Sequence, residues 1–222
     1  MTIYVPGKLT LSKIQQYPAV IGEPWGGGYF AGYISHTADG NPTHALIVAP
    51  AATGATGGAY PQTTFPAWKT TSTTTIGTTS DFDGVANTAA IVTAGIADHP
   101  AAQFCTNLTI GGFTDWYLPS VLELDIAYFN LKPTTQANDS SFGINNYSVP
   151  KRIINNTTNY PSITSVTAFA TSAEGFIADR HWSSTEASTT NAKQLTPSTG
   201  KLDNSPKTTG LYVRAFRRIA LP

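Results

Sequence analysis

The sequence predicts an α+β fold, and three stretches carry that reading. In residues 111–131 a Gly111-Gly112 turn hands over to a strand-like run of Phe113, Trp116, Tyr117 and Leu118, and then to a capped helix. Residues 84–95 place Val85, Ala89 and Val92 at helical spacing. Strands then crowd the C-terminal part, at 181–186 and 211–219.

The 111–131 stretch has the clearest boundaries. Pro119 ends the strand because it has no N–H for a ladder and biases Leu118 to extended geometry. Ser120 and Glu123 are spaced as a capping box. Val121, Leu124, Tyr128 and Leu131 then share one face, with Leu122, Ile126 and Phe129 beside it, before Lys132-Pro133 stops the helix.

Upstream, residues 1–28 read as an arm of short strands that either pairs with the domain's own sheet or docks on a neighbour. Within it, Trp25-Gly26-Gly27-Gly28 is a hinge or a close-packed turn. Residues 29–222 read as one domain. Its first feature is a hairpin, 29–36 against 44–49, turning at Asp39-Gly40-Asn41-Pro42. Residues 50–80 form an Ala/Gly/Thr-rich loop insertion, a length that implies function or assembly against a partner.

Asp81 and Asp83 superficially resemble a calcium loop. Three oxygen donors are too few for such a cage, so an N-cap for the 84–95 helix is the favoured reading. His99-Pro100 opens a short helix through Cys105, and 134–180 is a second insertion, rich in Asn, Ser and Thr. After the 181–186 strand come a strand at 191–196, a turn at Ser198-Thr199-Gly200, a polar loop to Gly210 and the last strand. That strand has apolar residues on both faces, so at least one of its arginines should be sheltered beside a carboxylate.

Composition excludes several function classes. Charged residues are 12% of the 222 and the formal net charge is zero, about half the usual ~25% charged. Without a positive field, nucleic acid is not an expected partner. Cys105 is the only cysteine, which rules out an internal disulfide and paired-cysteine zinc sites. No stretch approaches the ~18 apolar residues of a membrane span and no secretory signal is visible, so synthesis in the cytoplasm is expected.

The set DGVANTAAIVTAG, HPAAQFC, GGFTDWYLPSVLEL, HWSSTE and LYVRAFRRI, in this order over residues 81–219, resembles the C-terminal domain family of Lcl-type collagen-like bacterial adhesins. That family is similar to the C-type-lectin-like fold shared with formylglycine-generating enzymes. The resemblance implies two helices flanking a small twisted antiparallel sheet, with long irregular loops and chain ends close together. It marks Asp115, Trp116, Leu118, Pro119, Glu123, Trp182, Ser183, Ser184, Glu186, Arg214 and Arg217 as fold-specifying positions. Glu186 with Arg214 or Arg217 would be a buried pair. The single cysteine departs from the cysteine pair of the formylglycine-generating enzymes, and the motifs of calcium-dependent sugar-binding lectins are missing.

Catalytic constellations are not expected. His181 and Ser183 share a strand face at about 7 Å, too far for a local hydrogen bond. The segments EPWGGGYFAGYIS and HALIVAP are similar to phage-encoded members of the family. The resulting expectation is a non-enzymatic virion protein, assembled in the host cytoplasm, with capsid or tail proteins as partners. It would be a homo-oligomer such as a trimer, with residues 1–28 and 50–80 contacting neighbouring subunits and the Asn-rich insertion facing outward. It would use no cofactor and no metal, insert in no membrane, and touch a host-surface glycan or protein. The alternative is a bacterial carbohydrate- or surface-protein-binding module, in which Asn145, Asn146, Tyr147 and Tyr160 supply hydrogen bonds and a stacking face.

Overall fold

Alternation along His44–Val48 sends Ala45 and Ile47 into one apolar cluster and Leu46 and Val48 into another, and all four are fully buried. A strand covered on both faces must lie inside the molecule. The computed structural model describes residues 17–57, 65–170 and 173–222, and its larger sheet is built around this strand.

The elements run β1 (Pro24–Trp25), β2 (Gly28–Ile34), β3 (His44–Val48), α1 (Ala51–Gly54), α2 (Gly84–Gly95), α3 (Pro100–Thr106) and α4 (Val121–Leu131). They continue with β4 (Ser148–Val149), β5 (His181–Glu186), β6 (Asn191–Thr196), β7 (Lys201–Pro206) and β8 (Phe216–Ala220). One antiparallel sheet has the order β1-β2-β3-β8 with β4 beside β2, and a second is β5-β6-β7. This is an α+β architecture.

Two apolar clusters fill the space on either side of the larger sheet. Trp68, Trp116 and Trp182 join Phe30 and Ile47 in one. In the other, Leu124 and Tyr128 of α4 pack with Leu46, Val48, Phe169 and Phe216.

Most expected elements lie where the sequence places them, and the strands differ in places. The 113–118 run makes no ladder and only two isolated bridges, Ile110 with Phe113 and Tyr117 with Phe216. Residues 201–206, expected as loop, form β7, the outer strand of the second sheet. An outer strand whose side chains mostly face water carries no apolar alternation to reveal it. The last ladder begins only at Phe216. Residues 211–215 instead thread between the sheets: Trp182 N–H donates to Tyr212 O and Ala49 N–H to Ala215 O.

The arm takes the first of its two readings. Its described part belongs to the domain's own sheet, because Pro24 and Trp25 pair with Tyr29 and Gly28 through a turn with φ of 59° at Gly26 and 86° at Gly27. Residues 1–16 lie outside the described residues. The described part of the 50–80 loop likewise packs inward, burying Trp68, Thr75 and Thr78. The 134–180 insertion is divided, with Phe169 and Phe176 in the core and Ile144, Ile153 and Ile154 exposed.

One buried carboxylate joins these parts. Glu123 completes the expected capping box, its Oε2 accepting from Ser120 N–H at 2.7 Å. The same oxygen accepts from Gly84 N–H, the first residue of α2, at 3.2 Å, while Oε1 takes the Tyr117 hydroxyl at 2.8 Å. A Cβ on Gly84 would fall 2.3 Å from Oε2, so only glycine lets α2 approach. Burial pushes the Glu123 carboxyl up to about 7, against the opposing pull of these donors. Strand β5 docks on the same corner, Ser184 N–H to Pro119 O at 2.7 Å and Val121 N–H to Thr185 Oγ1 at 3.2 Å.

Removing the Glu123 side chain strands two backbone N–H groups and one hydroxyl in the interior. Glu123→Ala is therefore expected to cost on the order of 3–5 kcal/mol in urea denaturation. Glu123→Gln, which keeps one acceptor oxygen, should cost visibly less.

Candidate functional site

The residues marked as fold-specifying are tied to structure. Trp116 and Trp182 are buried and donate through Nε1 to Phe113 O at 3.1 Å and Pro66 O at 3.0 Å. Leu118 and Pro119 are buried between α2 and β5. Asp115 is exposed and bonds Arg217, whose guanidinium lies 3.8 Å over Phe113 and donates to Gly26 O at 3.2 Å. Arg217 thus pins the β1–β2 turn.

The expected ion pair of Glu186 with Arg214 or Arg217 does not form. Arg214 is the sheltered arginine, donating to Ala49 O at 2.6 Å and to Glu174 at 3.2 Å. Glu186, at the far end of β5, faces the 69–78 segment, where it accepts from Thr75 N–H at 2.7 Å and pairs with Lys207 at 3.2 Å. Lys207 falls in the stretch read as polar loop, so nothing in the spacing signals its burial. Its ammonium also donates to Thr73 O at 2.8 Å and Thr189 O at 3.0 Å, and lies 5.0 Å over Trp68. Lys69 donates to Thr74 O at 3.1 Å and Thr75 Oγ1 at 3.0 Å. Together these two lysines hold the Thr-rich loop closed.

His181 Nδ1 donates to Asp179 O and Ser183 Oγ to Lys193 O, both at 2.8 Å. Ser184 Oγ accepts from Asn87 Nδ2 at 3.2 Å. Cys105 is fully buried, and burial pushes its thiol up. Asp83 caps α2 as expected, accepting from Ala86 N–H at 2.9 Å, and Asp81 pairs with Lys193 at 2.8 Å. Among the described residues no group of three or more His, Cys, Asp and Glu could hold a metal.

Asp83 belongs to a second polar cluster, one the sequence did not suggest. Arg218 of β8 donates to Asp83 at 2.8 Å and to His36 Nε2 at 3.1 Å. A guanidinium only donates, so His36 Nε2 must be an unprotonated acceptor. Thr43 Oγ1 donates to Ile34 O and accepts from His36 N–H, so the 2.9 Å contact with His44 Nδ1 requires that nitrogen to be the donor. The His36 ring is thus neutral, and the two rings lie 4.6 Å apart. Burial and then Arg218 lower both, His44 to about 4.

The four proposed ligand-contacting residues do not form one surface. Asn145 is buried, its amide donating to Asp125 at 2.7 Å and Leu122 O at 3.2 Å. Tyr147 is half-buried and stacked on Phe82 at 4.2 Å, and Asn146 is exposed. Only Tyr160, 56% exposed, lines an open groove.

That groove has a volume of about 680 Å³ and runs between residues 20–23 and 160–166, over the C-terminal end of α4. Phe129 forms part of its lining and meets Tyr160 at nearly a right angle, 5.2 Å between ring centres. One wall is fixed by Lys132, a buried lysine whose ammonium reaches Gln136 O and Asn138 Oδ1 at 2.5 Å and Pro161 O at 3.5 Å. Thr164 N–H donates to Lys132 O at 3.0 Å, and Thr164 Oγ1 to Asn130 O at 3.0 Å. The walls meet where Gly22 abuts Val166, leaving 2.4 Å for any added Cβ. No family model matches the chain, and a search of curated proteins finds no match either.

Burial lowers all four histidines, with His44 and His181 at about 4. Their folded values lie below the unfolded value of 6.5. Unfolded chains therefore take up more protons between pH 6.5 and pH 4, and the stability present above that window is lost as pH falls through it. Glu123, raised to about 7, acts in the opposite sense. Denaturation at several pH values should show a net loss of stability on acidification. The loss should be smaller in the double variant His44→Gln, His181→Gln.

Proposed function

We propose that this chain is a non-enzymatic contact protein of a bacteriophage particle. It would serve as a capsid decoration, fibre or tail component that offers a lectin-like domain to neighbouring subunits or to the host surface. The observation that carries the reading is the open groove: a surface lined by apolar side chains and hydroxyls, with an exposed aromatic ring, suited to contact. The C-type-lectin-like arrangement draws support from α4 packing on β2 in a sheet that holds both β1 and β8. A formal net charge of zero and few charged residues allow many copies to lie side by side without mutual repulsion.

The same groove suits a bacterial adhesin module that binds carbohydrate or a surface protein, and the location of the chain separates the two readings. Mass spectrometry of purified phage particles should find the chain in constant ratio to the major capsid protein. Its presence only in the host fraction would contradict the virion reading and favour the adhesin.

A further inference from the structure

We propose that the groove between residues 20–23 and 160–166 is a saccharide site, and that it takes neutral sugars in preference to acidic ones. The inference deepens the contact reading above and rests on it for the groove's role in surface attachment. It is carried by how the groove's polar atoms are divided between structure and solvent.

Part of that inventory is spent internally. The Asn130 amide donates to Ala31 O at 2.8 Å, and the Thr164 hydroxyl donates to Asn130 O and accepts from Val166 N–H at 3.3 Å. These bonds, with the Lys132 cradle behind Pro161, keep the walls in place before any ligand arrives, which limits the ordering cost of binding. The remainder faces the groove. Ser162 and Ser165 are exposed, and the bonds just named do not use their hydroxyls. Glu23 takes the amides of Ala19 and Val20 on Oε1, which leaves Oε2 as an acceptor. Tyr160 supplies an exposed ring, braced by Phe129.

This combination fits a pyranose. A sugar presents an apolar C–H face that stacks on an aromatic ring, and a rim of hydroxyls that donate to carboxylate and accept from serine. Charge sets the selectivity. Glu23 is the one acidic or basic side chain among the described residues lining the groove. A sulfate, sialate or phosphate there would meet this carboxylate, while the Lys132 ammonium behind Pro161 is spent on Gln136 O, Asn138 Oδ1 and Pro161 O and offers the groove no donor. Neutral hexoses and N-acetylhexosamines meet no such penalty.

The test uses the full chain on an array of neutral oligosaccharides, containing glucose, galactose, mannose and N-acetylglucosamine, beside sulfated and sialylated counterparts. Hits are titrated by calorimetry. Saturable binding to one or more neutral series is expected, weaker by about tenfold or more in Tyr160→Ala and in the double variant Ser162→Ala, Ser165→Ala. Both alter exposed side chains, and unchanged melting temperatures would confirm their folding. Tyr147→Ala, away from the groove, should bind as the parent does.

Three results would overturn the proposal: no neutral ligand, affinity untouched by both groove variants, or preference for the acidic glycans. None bears on whether the chain is found in particles. A virion protein that ignores neutral sugars would sink this inference alone, and a sugar-binding chain missing from particles would sink only the virion reading.

Discussion

The carboxylate of Glu123 is the constraint on which the arrangement depends. Its two oxygens close the N-terminus of α4, take the first amide of α2 and hold the hydroxyl of Tyr117, whose backbone bonds Phe216 at the start of β8. Two helix N-termini thus converge on one buried acid. Their partial positive charge and three donors offset the cost of burying it. The helices and the last strand cannot be repositioned independently, because any separation leaves donors unpaired in a place that water does not reach.

The same logic recurs elsewhere in a chain with few charges. Lys69, Lys132 and Lys207 are all buried, and each ammonium is held largely by backbone carbonyls and hydroxyl or amide oxygens. A lysine in this setting works as a clasp for irregular chain, supplying three donors where loops leave carbonyls unpaired. Lys69 and Lys207 clasp the Thr-rich loop, and Lys132 clasps the wall that carries Tyr160. Long loops free of regular structure can therefore present a fixed surface. That rigidity distinguishes the groove from an ordinary loop crevice.

What was legible in the sequence was local chemistry. The capping box of Ser120 and Glu123, the proline that opens α3, the N-cap at Asp83 and the hairpin through Gly40 all involve residues a few positions apart. Each could be read without knowing what lay opposite. The illegible parts were the partnerships across the chain. Glu186 with Lys207 and Arg214 with Glu174 join residues that no spacing rule connects. Strand β7 is hidden because most of its side chains are polar and face water, and the 113–118 run resembles a strand because buried aromatic residues need no ladder to be buried. Of the four ligand candidates, Asn145 was misplaced for a similar reason: asparagine in a polar insertion looks solvent-facing, yet this one satisfies Asp125 beneath it.

Amide hydrogen exchange at the Glu123 corner tests the central claim most directly. If the buried acid locks both helix starts into the sheet, the amides of Gly84 and Ser120 should exchange only through global unfolding, as slowly as Ile47 and Val48 in β3. Exchange at those two positions through local opening, while β3 stays protected, would show that the helices are anchored by something other than this carboxylate.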